Sequence, residues 1–541
     1  MDNRVLLNKA REAKGTNHEE LALRALIGAG YAVKLSDDTN VVKGVVSDVI
    51  KDDSKVAPYK VMLNDSNAWH PGNSWHIGRI GQYKTDELYP TRQEALQARK
   101  LLGEAKKHRQ RDKGLLYPGP GVNLKDPVIK QLMDMPCPIT SLLEEDLYKF
   151  SMCQFVLHRY PRTVVRVTFI NRGPEKLGFL KPVIDKWLDQ LCKLRFSDCA
   201  LRWISDELKW LSSDFVGFLR RFYLFREQVH TEVDRHGELV MWAEGPWVDV
   251  IWFECKCLAL VCEAHARYRL MKLPKQEQED ILKERDVRAM DRIKALGKLH
   301  ETYPFSFSEF GFRRASSREW EDKIVYMMAQ AGKGKWFTGT SNMKLAYQYG
   351  LKPSGTMAHE LFMGMQNVGI QLPYVQREVW RQWMDEFQGR NGILLTDPFG
   401  LMQCMRDLDW HVANSFQGFR FDSGDPVVGA ELMLRKLEKL GIDPATKTFV
   451  WSDTLDYGAI EKLAIRFSRR VKTCGMGVGT WECHDLGPKI QPTNAVMKLS
   501  MSNGKPVFKI PDSAGKRVHA VADIVEAAKK ELDYKEMPKE L

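Results

Sequence analysis

From about residue 300 onward the chain repeats one pattern: a short apolar run, a polar loop and a helical segment. Each apolar run has the length of one buried strand, and each ends in a loop rich in glycine, serine, threonine or aspartate. Repeated strand, loop and helix units predict a parallel sheet, and this many units in one domain favour an irregular (β/α) barrel. The segments are PFSFSEFGFRR, KWFTGTSN, GLKPSGTMAHE, GILLTDPFG, SFQGFRFDSGD, KTFVWSDTLD and RVKTCGMGVGT.

The earlier parts of the chain have other patterns. Between 136 and 300, TVVRVTFI predicts a strand, and the run from Glu238 to Met271 predicts a strand leading into a long buried helix, as in an α+β domain. Residues 1–135 contain short alternating runs broken by turn residues, which predict a small β-rich extension, a barrel or meander. A basic helix is expected after the N-cap residue Thr91. We therefore predict three regions, 1–135, 136–300 and 301–541, with no role assigned to the first.

Composition narrows the class of protein. The chain has 541 residues, a formal net charge of +11 and ten cysteines. No segment reads as a signal peptide or as an apolar span of ~20 residues, and no CxxC pair occurs, so we expect a cytoplasmic protein without structural zinc or membrane contact. Positive charge is densest from Arg99 to Lys113. That run predicts a solvated helix face, with nucleic-acid binding as the alternative.

The segment from Gly418 to Pro426, GFRFDSGDP, carries the most specific chemistry. A strand that ends in two carboxylates, a hydroxyl and a glycine presents acceptors and bare backbone at the carboxyl edge of a sheet. Aspartate can accept from vicinal sugar hydroxyls, while glycine and serine let backbone N–H groups approach a phosphate. The plain alternative is a turn that caps a helix.

Three other loops offer related chemistry. The glycines of Gly475–Thr480 can approach a phosphate, Asp453 can hold a ribose hydroxyl, and Arg313 beside Phe310 can grip a planar anion whose ring stacks. The structural alternatives are close strand–helix packing, helix capping and a buried ion pair. His359 should lie in the first turn of a helix, where neutral imidazole is a competent nucleophile near pH 7.

Nine segments in a fixed order, from about Ile139 to about Lys516, make the chain resemble nicotinate phosphoribosyltransferases. They are LLEEDLYKFSMCQ, EGPWVDVIWFE, FGFRR, FTGTSN, GTMAHE, GFRFDSGDP, FVWSDTLD, GMGVGT and KPVFKIPDSAGK. The resemblance implies that nicotinate and 5-phosphoribosyl-1-pyrophosphate (PRPP) give nicotinate mononucleotide and pyrophosphate, with coupled ATP hydrolysis. It also implies a homodimer with shared active sites, and Mg²⁺ carried by PRPP and ATP rather than by a protein metal site.

The same resemblance assigns roles by position. His359 would be phosphorylated by ATP, Phe310 and a Tyr148 from the second subunit would sandwich the pyridine ring, and Asp422 would bind ribose hydroxyls. Arg313 and Arg420 would hold the substrate carboxylate and the phosphate charge. The remaining expected binding residues are Thr340, Ser341, Ser423, Gly424, Asp453, Gly477, Gly479 and Thr480.

One position bears on the choice between acid and amide. Related nicotinamide enzymes have an aspartate where Ser341 stands, and a carboxylate there would repel nicotinate by several kcal/mol. Serine therefore favours nicotinate, with a nicotinamide phosphoribosyltransferase as the alternative. Two departures from the family, Ala315 for an arginine and Pro511 for a serine, concern positions that can touch phosphate.

Overall fold

The computed structural model describes residues 125–513 and 522–540, together with the backbone of five short strands earlier in the chain. The chain divides into two compact units, Met1–Tyr117 and Pro118–Leu541. In the first unit β1 pairs antiparallel with β2, β3 runs parallel to β2, and β4 pairs antiparallel with β5. The basic helix predicted after Thr91 lies outside the described residues. The strands are β1 (Val46–Lys51), β2 (Pro58–Leu63), β3 (Trp75–Ile77), β4 (Arg79–Ile80) and β5 (Tyr83–Lys84).

The second unit contains a five-stranded antiparallel sheet with the strand order β17-β16-β6-β8-β7. Its members are β6 (Val164–Asn171), β7 (Val229–Val233), β8 (Leu239–Pro246), β16 (Ala495–Ser502) and β17 (Lys505–Pro506). Because β16 pairs with β6 along seven residue positions, the late part of the chain completes a sheet that its early part begins. The predicted division at residue 300 therefore separates strands that share one sheet.

Seven parallel strands form the second sheet, in the order β11-β10-β9-β15-β14-β13-β12. They are β9 (Ser306–Glu309), β10 (Phe337–Thr340), β11 (Lys352–Pro353), β12 (Ile393–Leu395), β13 (Gly418–Phe421), β14 (Thr448–Trp451) and β15 (Thr473–Val478). This order is the cyclic order of a barrel, since β15 pairs with β9. The sheet opens between β11 and β12, where the Thr356 hydroxyl donates to the Ile393 carbonyl at 2.7 Å. The predicted parallel (β/α) architecture is confirmed as a curled half-barrel.

Helices cover both sheets. Those of the first part are α1 (Pro127–Asp134), α2 (Leu147–Arg159), α3 (Lys181–Leu191), α4 (Asp198–Glu207), α5 (Ser213–Arg221), α6 (Trp247–Val250), α7 (Phe253–Met271) and α8 (Lys275–Thr302). Those associated with the parallel sheet and the C-terminal segment are α9 (Arg318–Gly332), α10 (Met343–Tyr349), α11 (His359–Gly364), α12 (Leu372–Phe387), α13 (Leu401–Asp407), α14 (Trp410–Ser415), α15 (Pro426–Lys439), α16 (Tyr457–Phe467), α17 (Thr480–Cys483) and α18 (Ala522–Glu531). No helix among the described residues is both long and apolar enough to cross a membrane.

Side-chain alternation on β13 connects the core to the site. Phe419 and Phe421 are buried, and the Phe421 ring packs on Phe449 and Trp451 with centroid separations of 5.3 and 5.8 Å. Successive side chains of a strand point to opposite faces. Arg420 therefore leaves the aromatic layer and lies on the other face, where it lines a cavity.

Replacing Gly418 at the start of β13 with alanine should destabilise the fold. A Cβ there would lie 2.0 Å from the Thr448 carbonyl oxygen of the neighbouring strand, so backbone must move. We expect Gly418→Ala to lower the free energy of unfolding by about 1–3 kcal/mol, measured by urea denaturation. Gly217→Ala is the matched control, because the site on α5 has nothing within 4 Å; it should be neutral or stabilising by up to ~1 kcal/mol. Equal losses in both variants would contradict the packing argument.

Candidate active site

A cavity of about 580 Å³ lies where the carboxyl ends of the parallel strands meet the antiparallel sheet. Most of the residues predicted from the sequence line it, although they come from widely separated segments. They are Tyr148, Phe310, Arg313, His359, Arg420, Asp422, Asp453, Gly477, Gly479 and Thr480. The structure thus brings the predicted ring-binding, charge-binding and histidine groups onto one cavity.

Four predicted residues support this cavity without lining it. Thr340 donates its hydroxyl to the buried Glu309 carboxylate, and Ser341 donates to Asp146 at 2.6 Å. Ser423 donates to Asp397, and the backbone N–H of Gly424 donates to the Ser513 hydroxyl at 2.9 Å. In this structure the Ser341 hydroxyl proton is directed at Asp146, and the expected substrate contact stays a prediction.

Arg313 sits at the junction of the aromatic and acidic groups. Its Nε atom is 3.2 Å from Asp146 Oδ2, and its guanidinium carbon is 5.6 Å from the centroid of the Tyr148 ring. Tyr148 and Phe310 line the same cavity of one chain. Within this single chain, helix α2 places Tyr148 on the cavity; its exchange with a second subunit stays a prediction from the resemblance.

The glycines of the GMGVGT loop are explained by Phe310. A Cβ at Gly477 would lie 2.4 Å from the Phe310 ring, and one at Gly479 would lie 2.8 Å from the Phe310 carbonyl oxygen. Glycine at these positions lets the ring and the β9 end approach β15 closely. Close packing, the plain alternative weighed from the sequence, is thus one reason for these glycines, and both still face the cavity.

His359 begins helix α11, as predicted, and faces two carboxylates. Its Nε2 is 3.2 Å from Asp397 Oδ2 and its Nδ1 is 3.8 Å from Asp422 Oδ2. Burial, aided by the positive charge of Lys509, lowers the pKa of His359, although both aspartates oppose this shift. The imidazole is therefore neutral near pH 7, with a carboxylate beside each nitrogen.

Arg420 is fixed by three acceptors. Its guanidinium donates to the Ser452 hydroxyl at 2.8 Å, to Asp422 Oδ1 at 2.9 Å and to the Met357 carbonyl at 3.3 Å. Ser452 in turn donates to the same Asp422 oxygen at 2.6 Å. A preorganised cation next to an oriented carboxylate can bind the anionic and the hydroxyl parts of one ligand.

The structure adds cavity residues that sequence reasoning did not select. Lys498 on β16 has its pKa lowered to about 8, chiefly by burial. Arg172 follows β6, and Lys509 follows β17; both line the cavity with Lys498 and Glu254. Lys509 lies within the segment KPVFKIPDSAGK and Asp397 within GILLTDPFG, so those two motifs contained a usable signal.

The donor atoms of His359, Asp397 and Asp422 all lie within 4.8 Å of one another. The carboxylate oxygens of Asp397 and Asp422 suit a hard divalent cation such as Mg²⁺, whereas the His359 nitrogen does not. The two departures from the family motifs are also placed. Ala315 is fully buried, and Pro511 lines a second cavity of about 360 Å³ rather than the first.

Comparisons with known proteins agree with this geometry. Residues 305–536 match the profile of the nicotinate phosphoribosyltransferase (NAPRTase) family, and residues 143–262 match that of its N-terminal domain. A nicotinate phosphoribosyltransferase of Herminiimonas arsenicoxydans is 38% identical over 388 residues, which cover 71% of this chain and 94% of the relative.

Solved structures give the same result. The crystal structure of a nicotinate phosphoribosyltransferase from Vibrio cholerae superposes with a TM-score of 0.68 at 31% identity, covering 75% of this chain and 96% of the other. One from Porphyromonas gingivalis gives a TM-score of 0.66 at 27% identity, covering 73% and 100%.

We expect the pKa of His359 in the ligand-free protein to lie below 6.5, because burial disfavours the imidazolium. The unfolded chain then binds the extra proton more readily, so this residue's contribution to stability is present above pH 6.5 and is lost as the pH falls below it. Histidine NMR titration measures the value, with the His359→Asn spectrum providing the assignment. Asp397→Asn should lower the pKa further, and an unchanged value in that variant would contradict the assigned contact.

Proposed function

The chain belongs to the nicotinate phosphoribosyltransferase family, and we propose that it couples this family's reaction to ATP hydrolysis through His359. The enzyme joins nicotinate to the ribose of PRPP, forming nicotinate mononucleotide and pyrophosphate in NAD salvage. The observation that carries the proposal is a single cavity lined by two aromatic rings, a carboxylate-binding arginine, an arginine–aspartate pair and a buried histidine.

Phe310, Tyr148 and Arg313 suit the pyridine substrate. Two rings on one cavity allow the flat heterocycle to stack, and the guanidinium beside Tyr148 can donate hydrogen bonds to a carboxylate. No side-chain nucleophile is required for this step, because the pyridine nitrogen itself attacks C1 of the ribose. The rings orient that nitrogen and exclude water from it.

Asp422 and Arg420 suit the ribose and its leaving group. Displacement of pyrophosphate builds positive charge on the ribose ring, which a nearby carboxylate stabilises, while negative charge grows on the leaving oxygen. Lys498, Lys509 and Arg172 line the same cavity and add positive charge for the phosphates. Mg²⁺ would neutralise the pyrophosphate, and Asp397 and Asp422 are the residues whose oxygens could hold it.

The surroundings of His359 support Nδ1 as the reacting nitrogen in this proposal. Asp397 Oδ2 at 3.2 Å favours a proton on Nε2, which would leave the lone pair on Nδ1. Nδ1 would attack the γ-phosphorus of ATP, the bond from that phosphorus to the β–γ bridging oxygen would break, and ADP would leave. Asp397 then stabilises the positive charge of the phosphorylated imidazole. Hydrolysis of the P–N bond would release phosphate and reset the neutral ring.

The choice of the acid substrate rests on Arg313 rather than on a direct contact from Ser341. Ser341 donates to Asp146, and Asp146 pairs with Arg313, so the serine acts on the arginine through one intermediate carboxylate. An aspartate at position 341 would place a second carboxylate against Asp146 and pull the arginine away from an anionic substrate. Nicotinamide is uncharged, so it would not form an ion pair with Arg313.

Two broader inferences accompany this function. All ten cysteines are free thiols, which fits a reducing compartment such as the cytoplasm. The homodimer with shared active sites stays a prediction from the resemblance.

A product assay tests the assigned reaction. With PRPP, Mg²⁺ and ATP present, nicotinate should be converted to its mononucleotide, whereas nicotinamide should react at least about tenfold less efficiently, since it lacks the charge that Arg313 binds. The ratio of kcat/KM values for the two substrates is the measurement. Conversion of nicotinamide with nicotinate left untouched would identify the alternative enzyme instead.

Replacing His359 tests the coupling separately. We expect His359→Ala to abolish the stimulation of synthesis by ATP, while slow PRPP-dependent formation of the mononucleotide continues, because the imidazole does not act on the ribose. Rates with and without ATP, and acid-labile ³²P retained on the protein from γ-labelled ATP, provide the readouts. ATP stimulation that survives the substitution would remove the phosphohistidine from the mechanism.

A further inference from the structure

The signature segment LLEEDLYKF places a lysine in the interior directly after Tyr148. The Lys149 side chain is fully buried, and its ammonium donates to Glu254 Oε2 at 2.6 Å and to the Glu360 carboxylate. Burial alone would lower the pKa of Lys149, but the two carboxylates more than reverse this and hold the pKa well above its ordinary value. Lys149 is therefore a permanent cation next to the active site.

The two carboxylates belong to different parts of the site. Glu360 follows His359 on helix α11, and its second oxygen accepts from the Trp247 indole at 2.8 Å. Glu254 begins helix α7 together with Phe253, lines the cavity, and has its other oxygen 3.9 Å from Arg313 Nη1. Lys149 thus connects the segment of His359 to Arg313.

The local charges show what this connection does. Three buried carboxylates (Asp146, Glu254 and Glu360) surround two cations, Lys149 and Arg313. Asp146 is already paired with Arg313 at 3.2 Å, and Glu254 would be a second competitor for the same guanidinium. The Lys149 ammonium lies 2.6 Å from Glu254 Oε2, whereas Arg313 Nη1 lies 3.9 Å from Glu254 Oε1, so Lys149 is the closer partner.

We propose that Lys149 is a positioning residue for substrate choice: by holding Glu254, it keeps Arg313 available to the carboxylate of the pyridine acid. Anchored by Glu360 on its other side, the ammonium cannot follow Glu254 into the cavity. Without its charge, Glu254 would pair with Arg313, and an anionic substrate would have to displace a buried carboxylate. This inference rests on the proposed function, because it takes nicotinate as the ligand of Arg313.

The test compares the full-length enzyme with Lys149→Met, which keeps the volume of the side chain but removes its charge. We expect the KM for nicotinate to rise about tenfold or more while the KM for PRPP changes by less than about threefold. Lys447→Met is the matched control. Lys447 is also buried and donates to the carbonyls of Asn414 and Phe416. It precedes β14, so it lies at the amino end of that strand, whereas the cavity lies at the carboxyl ends.

Both substitutions should lower thermal stability, so only the selective rise in the nicotinate KM reports positioning. Adding Glu254→Gln to Lys149→Met removes the competitor and should return the nicotinate KM to within about threefold of wild type. Equal KM changes in Lys149→Met and Lys447→Met, or no recovery in the double variant, would overturn the proposal.

Two further outcomes are distinct. If Lys149→Met yields no folded protein, the double variant Lys149→Met/Glu254→Gln, which leaves one buried charge fewer unpaired, decides: a nicotinate KM within about threefold of wild type supports the proposal, and a rise of about tenfold or more refutes it. If the wild-type enzyme converts no nicotinate at all, the proposed function fails. If the wild-type enzyme converts nicotinate, and Lys149→Met and Lys447→Met change the KM values equally, only the proposed role of Lys149 fails.

Discussion

The active site depends on one geometric constraint: all seven strands of the second sheet run in the same direction, so their carboxyl ends meet at one rim. A second constraint acts within each strand, where alternate side chains point to opposite faces. On β13 the combination buries Phe419 and Phe421 in the aromatic layer and leaves Arg420 on the cavity side, at the point where Asp422 follows. The common direction of the strands therefore determines which loops meet at the cavity, and the individual contacts then fix their side chains.

The rim could be predicted because its signals are local. Apolar runs ending in FDSGD, SDTLD or GMGVGT identify both the strands and the loops that follow them, and parallel pairing then brings those loops together. The family resemblance added the roles of His359, Phe310 and Arg313, which no spacing argument could supply. The structure places those side chains on one cavity, which their separation along the chain did not require.

Other features could not be read from the sequence because they arise from long-range pairing. Nothing local in VMKLS shows that Lys498 would face the barrel mouth, since that depends on β16 joining β6 in the antiparallel sheet. Ser341 illustrates the same limit at smaller scale: its residue type suggests a ligand contact, but its hydrogen bond to Asp146, 195 positions away, could not be read from the sequence. Likewise the position of Tyr148 on this chain's cavity depends on how α2 packs against the parallel sheet, which the order of motifs does not encode.

The pairing of β16 with β6 also has a consequence for biosynthesis. The hydroxyls of Thr168 and Ser500, which are hydrogen bonded across these strands, stand 332 positions apart in the chain. At ribosomal rates of about 5–20 residues per second, the edge of β6 waits on the order of 20–60 s for its partner strand. During that interval the nascent chain exposes an unpaired strand edge, the kind of surface that chaperones shield and that aggregation exploits.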